Sequence, residues 1–336
     1  MDLINVALDA TIFLLKLTIF TYVGLFLANV ACRRKKLLRI GFIFKPLARV
    51  SKLPMCCSFY FLMTLLNLTS STPTLLGFHK QGLVSDDEQV IAATITAGLP
   101  IMFWYVLFFT GPIAIGVFGI KNGLLFLAVW IAIGLVETIM GVIYGRIRIP
   151  EVPHEGCGVG DGDGIFNENE KGSENERVDF KQEIKDATQD SFRTLLQILK
   201  VLAPVIFLLY IIISSENIMA HVNEILQPIA GMLPLESEAV PIALIAAFNL
   251  IVAISMAQQL IVNGLPVIDA FMAIVAGMFL YNLFEVFHTL IPYNVSFFGK
   301  KLGLKVAVAL FLAIGISDLA VIMMLWCVKV FVLFPF

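Results

Sequence analysis

The stretch Phe118-Gly119-Ile120-Lys121-Asn122-Gly123-Leu124 returns 180 residues later as Phe298-Gly299-Lys300-Lys301-Leu302-Gly303-Leu304, with Phe, Gly, Lys, Gly and Leu in the same places. Pro112 and Pro292 keep the same spacing. Upstream, a spacing of 182 pairs Pro46 with Pro228, Ala48 with Ala230, Asn67 with Asn249, Gly82 with Gly264 and Leu83 with Leu265. Downstream, a spacing of 181 lays Ala132-Ile133-Gly134-Leu135-Val136-Glu137 over Ala313-Ile314-Gly315-Ile316-Ser317-Asp318, so an acid falls at the same point of the last helix in each half. One unit is used twice. Residues 1–149 form a first repeat, 193–336 a second, and 150–192 the joint between them.

Composition says what the unit is made of. Of 336 residues, 59% are hydrophobic and 14% charged, against roughly 45–50% and 25% in a typical soluble domain. Twelve of the 25 acids lie between Glu151 and Asp190, which leaves the remainder more apolar still. The expected class is therefore an all-α integral membrane protein with one polar, solvated linker. The 23 basic residues nearly balance the acids and form no basic face, so the clustered Lys and Arg that displace counterions from nucleic acid are missing. No phosphate loop, HExxH or GxSxG occurs, and no catalytic residue or cofactor is expected. Cys32, Cys56, Cys57, Cys157 and Cys327 follow no metal-ligand spacing and read as free thiols. Asp161-Gly162-Asp163-Gly164 starts like a calcium loop but places Ile165 where a third oxygen ligand belongs.

A hydrocarbon core of about 30 Å needs about 20 apolar residues in a helix. Such runs occupy 6–30, 90–109, 123–144, 195–213, 270–290 and 304–331. The run 6–30 is too long for a signal-peptide core and is read as a retained helix. Two further apolar stretches, 55–78 and 239–262, carry polar residues at their middles and are either polar-centred crossing helices or re-entrant hairpins. Basic residues decide between these. The loop 32–52 holds eight Lys and Arg, whereas its repeat equivalent 214–238 holds none, which places equivalent loops on opposite sides of the membrane. Each half then has about three transmembrane helices plus a re-entrant or broken hairpin, and the halves are inverted. This reading puts the chain in the cell membrane as a multi-pass protein, with the linker 150–192 cytoplasmic and both termini outside.

Inverted repeats with discontinuous helices form ligand sites near the bilayer midplane. The expected break in the first half is Ser70-Ser71-Thr72-Pro73-Thr74, since proline cannot donate a helical hydrogen bond. Its counterpart holds Ser255, Gln258 and Gln259. Asn67, Ser71, Thr72, Asn249, Ser255 and Gln258 are the expected solute-binding residues, beside the alternative that each only satisfies nearby backbone. Asn282, Glu285 and His288 share one helical stripe. They read as a structural contact, a coupling site for a proton or cation, or two ligands of an incomplete metal site. Glu137 and Asp318 read equally as transport residues or as structural partners of Lys121, Lys301 or helix ends. Ser85-Asp86-Asp87-Glu88 reads as a helix cap with its box partner.

The segment from Ser71 to Ala93, running from a Ser/Pro break through a short helix to Gly82 and a capped span, resembles the Gate domain called "nucleoside recognition". That domain occurs in concentrative nucleoside transporters, in the membrane part of the bacterial ferrous-iron transporter, and in small prokaryotic proteins made of two Gate units. The resemblance extends to both halves through the repeat and implies two inverted Gate units with a transport-type role. No GTPase domain accompanies it, and neither break carries the cysteine that ferrous-iron transport suggests. The expected function is a secondary transporter or channel for a small polar solute or ion, nucleoside-like in the family's terms, working in the lipid bilayer. The alternative is a non-transporting membrane scaffold or accessory subunit. A homo-oligomer is compatible with either.

Overall fold

The computed structural model describes residues 43–66, 68–150 and 235–333, with scattered positions between 7 and 22 and between 184 and 196, and residue 207. The spans expected at 6–30 and 195–213, most of the linker, and Asn67 lie outside the described residues. Every regular element among the described residues is helical. The first half runs α1 Lys45–Val50, α2 Cys57–Leu66, α3 Leu68–Lys80, α4 Asp87–Thr96, α5 Gly98–Tyr105, a π-helical turn Val106–Thr110 and α6 Gly111–Arg148. The second runs α7 Val240–Ala246, α8 Leu250–Val262, α9 Val267–Glu285, a π-helical turn Val286–Leu290 and α10 Ile291–Leu333.

The order of elements repeats down to unusual details. The chain leaves α3 at Gly82 (φ 74°) and α8 at Gly264 (φ 111°), both left-handed, where glycine alone is at ease. The two π turns lie 180 residues apart, and so do the breaks at Gly119 (φ 76°, ψ 174°) and Gly299 (φ 77°, ψ 172°). Length makes these breaks necessary. The apolar helical stretch Asp87–Arg148 has 62 residues, about 93 Å at 1.5 Å per residue, three times the hydrocarbon thickness. At Gly119 it folds back on itself: a Cβ on Gly123 would sit 2.8 Å from the Ile115 Cα. At Gly303 the equivalent atom would lie 2.4 Å from the Asn294 carbonyl oxygen. The helices that composition divides at 109 and 290 thus run on through the π turns to the glycine breaks.

The stretches flagged as hairpins are short helices. Helices α2 and α3 have 10 and 13 residues and pack against each other, as do α7 and α8 with 7 and 13. None alone reaches across about 30 Å of hydrocarbon. The position of the break corrects the sequence reading. Helix α3 is continuous through Ser71, Thr72 and Pro73, and α8 is continuous through Ser255 and Gln258. A proline in a helix removes a single ladder bond, and the Ser71 hydroxyl takes up the Leu68 carbonyl beside it at 2.7 Å. In the second half the chain turns earlier, at 247–249, and the Asn249 side chain caps α8 by accepting from the amides of Ile251 (3.0 Å) and Val252 (3.2 Å).

Each half's core borrows a helix from the other. Leu302, Val306, Leu310 and Ala313 of α10 pack into the core around α2, α3 and α4. Reciprocally, Phe126, Val129, Trp130 and Ile133 of α6 pack into the core around α7, α8 and α9. Phe126, Trp130 and Ile133 stand 180 residues before Val306, Leu310 and Ala313, so the exchange uses matched positions. Phe118, Phe126 and Phe271 meet edge-on at 5.2–5.5 Å around the first break.

Polar ties gather at the ends of these helices. At the start of α4, Asp87 pairs with Lys305 of α10 at 3.0 Å, and Glu88 accepts from the Tyr144 hydroxyl of α6. Close by in the chain, the Arg146 guanidinium donates to the Val50 carbonyl at 3.0 Å. The expected cap box is displaced by one residue, because Gln89 rather than Glu88 accepts the Ser85 amide. At the start of α9, Lys329 of α10 bridges Asp269 (2.6 Å) and Glu236 (3.0 Å).

Candidate functional site

The carboxyls of Glu137 and Asp318 are each 2% exposed, on α6 and α10. They stand at equal places in the repeat, and each lies within electrostatic reach of the other. Glu137 rests against a helix junction that the sequence weakens. Pro100 has no amide hydrogen to give to the Thr96 carbonyl four residues earlier. The Thr138 hydroxyl, next to Glu137, donates to that carbonyl at 3.1 Å and accepts the Leu99 amide at 2.7 Å. This stitches α6 to the α4–α5 junction. Gly98 completes the fit, since a Cβ there would stand 2.7 Å from the Glu137 Cβ, Cδ and Oε2. From the hairpin side, the Tyr60 hydroxyl bonds to Thr64 and Thr94 and also lies within reach of the Glu137 charge.

Asp318 is held differently. The Asn282 side-chain amide donates to its Oδ2 at 2.7 Å, and both groups are buried. Among the described residues, neither carboxyl forms an ion pair, so the pairing with Lys121 or Lys301 considered from sequence is not found. One turn from Glu137 on the same face of α6 is Gly141, and against it lies Thr96, fully buried. The Thr96 Oγ1 has no hydrogen-bond partner among the described residues.

A second matched pair sits just before the π turns. Tyr105 and Glu285 are 180 residues apart, and Tyr105 lies within electrostatic reach of Glu285 and Tyr281. The Tyr281 hydroxyl hydrogen-bonds to Glu285. π turns interrupt the helical ladder and recur at functional sites.

The stripe expected at Asn282, Glu285 and His288 is therefore divided. The π turn begins after Glu285, so helical spacing no longer carries the stripe on to His288, whose side chain is not described. Asn282 turns inward to Asp318, while Glu285 is half-buried beside Tyr281. Of the expected hairpin residues, Ser71 and Ser255 spend their hydroxyls on their own helices, at Leu68 (2.7 Å) and Ile251 (2.9 Å). Asn249 is a helix cap, and Thr72 is half-buried. Gln258 presents a buried Oε1 without a partner among the described residues. Sequence reasoning passed over Tyr60, Thr96, Thr138 and Tyr105. Pro100 was the available signal for Thr96 and Thr138, because it orphans a carbonyl four residues back.

Three uncharacterized proteins of Methanocaldococcus jannaschii are similar to this chain. The first is 26% identical over 307 residues, covering 90% of this chain and 93% of the relative. The second is 24% identical over 226 residues, or 66% and 64% of the two chains, and the third 23% identical over 288 residues, or 84% of each. No protein-family model and no solved structure matches the chain.

Proposed function

We propose that the chain is a membrane transport protein that moves a small polar solute or ion through a midplane site between two inverted repeats. The observation that carries this reading is the buried pair Glu137 and Asp318, matched acids on matched helices of an apolar protein. Intramembrane ionisable groups are costly and mark ion or solute paths more often than scaffolding.

Inversion is supported by the end contacts. After Gly119, α6 leads from Phe126, beside Phe271 near the start of α9, to Tyr144, beside Glu88 at the start of α4. After Gly299, α10 leads from Lys305, beside Asp87 at the start of α4, to Lys329, beside Asp269 at the start of α9. The two long helices run in opposite directions, with α4 and α9 starting at opposite ends. The hairpins are re-entrant in this reading. Cys56 before α2 meets the Leu83 carbonyl after α3 at 4.0 Å, and Lys329 joins Glu236 before α7 to Asp269 after α8. Lys45, Arg49, Lys52, Arg146, Arg148, Lys300, Lys301 and Lys305 fall at the α4 end, against Lys121 and Lys329 at the other. The positive-inside rule makes the α4 end, and the linker leaving it, cytoplasmic. The inverted two-unit plan agrees with the resemblance to the nucleoside recognition family.

A thermal-shift screen over nucleosides, divalent metals and small anions supplies the solute for an uptake assay in proteoliposomes. Uptake should fall to background in Asn67→Leu and Asn249→Leu with folded protein retained, and Asn249→Ser, which keeps a capping oxygen, should not restore it. Unchanged uptake in the Leu variants removes the hairpin tips from the path.

A further inference from the structure

We propose that Glu137 and Asp318 hold between them one exchangeable monovalent cation, a proton or an alkali-metal ion, which couples to the transport proposed above and rests on that reading. Charge balance demands it. Two buried carboxyls within electrostatic reach cannot both stay ionised in an apolar interior, where each bare charge is expensive and the two repel. The titratable groups facing Glu137 are Asp318 from α10 and Tyr60 from α2, and Asp318 is faced by Glu137 and the neutral Asn282. No described Lys or Arg pairs with either carboxyl, so the compensating charge comes from outside the chain.

The surroundings fit a small ligand rather than a packed polar contact. Thr96 is wholly buried, its Oγ1 has no partner among the described residues, and it faces α6 one turn from Glu137. A buried hydroxyl left unsatisfied costs about 1–3 kcal/mol; an ion or hydronium beside Glu137 gives it a partner. Asn282 fixes one Asp318 oxygen at 2.7 Å and leaves the other for the cation. The weakened α4–α5 junction and the adjoining hairpin both touch this point through Gly98, Thr138 and Tyr60, so occupancy is coupled to the elements that would move. The stretch before each glycine break ends in a matched helix, and the cation therefore sits where the two repeats meet.

The test uses the full chain in detergent and follows its Tm as NaCl replaces choline chloride at constant ionic strength, and separately across a pH series in choline chloride. Wild type should show a saturating rise of Tm with sodium, which identifies a metal ion, or with falling pH in choline, which identifies a proton. The double variant Glu137→Gln with Asp318→Asn should match or exceed the unliganded wild-type Tm and lose that dependence. The swapped pair Glu137→Asp with Asp318→Glu should retain it, which a purely structural role would not require. A wild type insensitive to both series, or a double variant that keeps the wild-type response, overturns the proposal. Binding in detergent requires no transport. A clear response without cation-dependent flux in liposomes would sink the transport reading and leave the cation site standing.

Discussion

Lys329→Met should lower the stability of the folded protein by about 3 kcal/mol, read as Tm and as the midpoint of denaturation in detergent. Asp269 is fully buried and finds its positive partner in Lys329 at 2.6 Å. Its second oxygen has no partner among the described residues, so removing the ammonium strands a buried charge. Breaking a buried pair from one side costs about 3–5 kcal/mol, because the remaining charge is left uncompensated. The same ammonium ties Glu236, which precedes α7, to the start of α9, so the change also frees the segment leading into the second hairpin. Lys305→Met is the comparison. Its pair with Asp87 has side chains 45% and 40% exposed, and exposed pairs contribute about 0–1 kcal/mol. Equal losses in the two variants would mean that burial does not set the strength of these ties.

Gly123→Leu and Gly303→Leu should each prevent the fold-back at the glycine breaks, with losses at or above the roughly 1–3 kcal/mol typical of overpacking. The obstruction at both positions is backbone: the Ile115 Cα at 2.8 Å and the Ala114 carbonyl at 3.1 Å in one half, the Asn294 carbonyl at 2.4 Å in the other. Rotamer changes cannot relieve it. Gly77→Ala supplies the opposite sign, since nothing lies within 4 Å of its added carbon, and glycine within a helix gives up roughly 1 kcal/mol to alanine. Yields of folded protein and Tm in detergent measure all three. A Gly303→Leu variant as stable as Gly77→Ala would contradict the packed fold-back.

The sequence carried the repeat because helix breaks need glycine at set positions, and Phe-Gly-x-Lys-x-Gly-Leu records both the left-handed residue and the close approach four residues later. The hairpins were legible as apolar stretches with polar middles, but their turns were not. Proline drew attention to Pro73, whereas the helix absorbs it, and in the second half the turn stands three residues from any proline-like signal, marked only by the capping Asn249. The stripe of Asn282, Glu285 and His288 failed for a related reason: periodicity assumes an unbroken helix, and the π turn at Val286–Leu290 shifts the face. Glu137 and Asp318 were visible as matched acids, yet nothing in the sequence says that the two come within reach of each other. That depends on the cross-packing of α6 and α10, a tertiary exchange with no local signature.

The opposed orientation of the two repeats is the claim on which the site and the proposed transport depend, and Lys121 and Lys301, three and two residues past the two breaks' glycines at most, report on it directly. Single cysteines placed at these positions in a cysteine-free background, in sealed right-side-out vesicles, can be labelled with a membrane-impermeant maleimide before and after permeabilisation. The account predicts that the Lys121→Cys variant is labelled in intact vesicles and that the Lys301→Cys variant is labelled only after permeabilisation. Labelling of both from the same side would contradict inverted repeats and remove the ground for a midplane site between them.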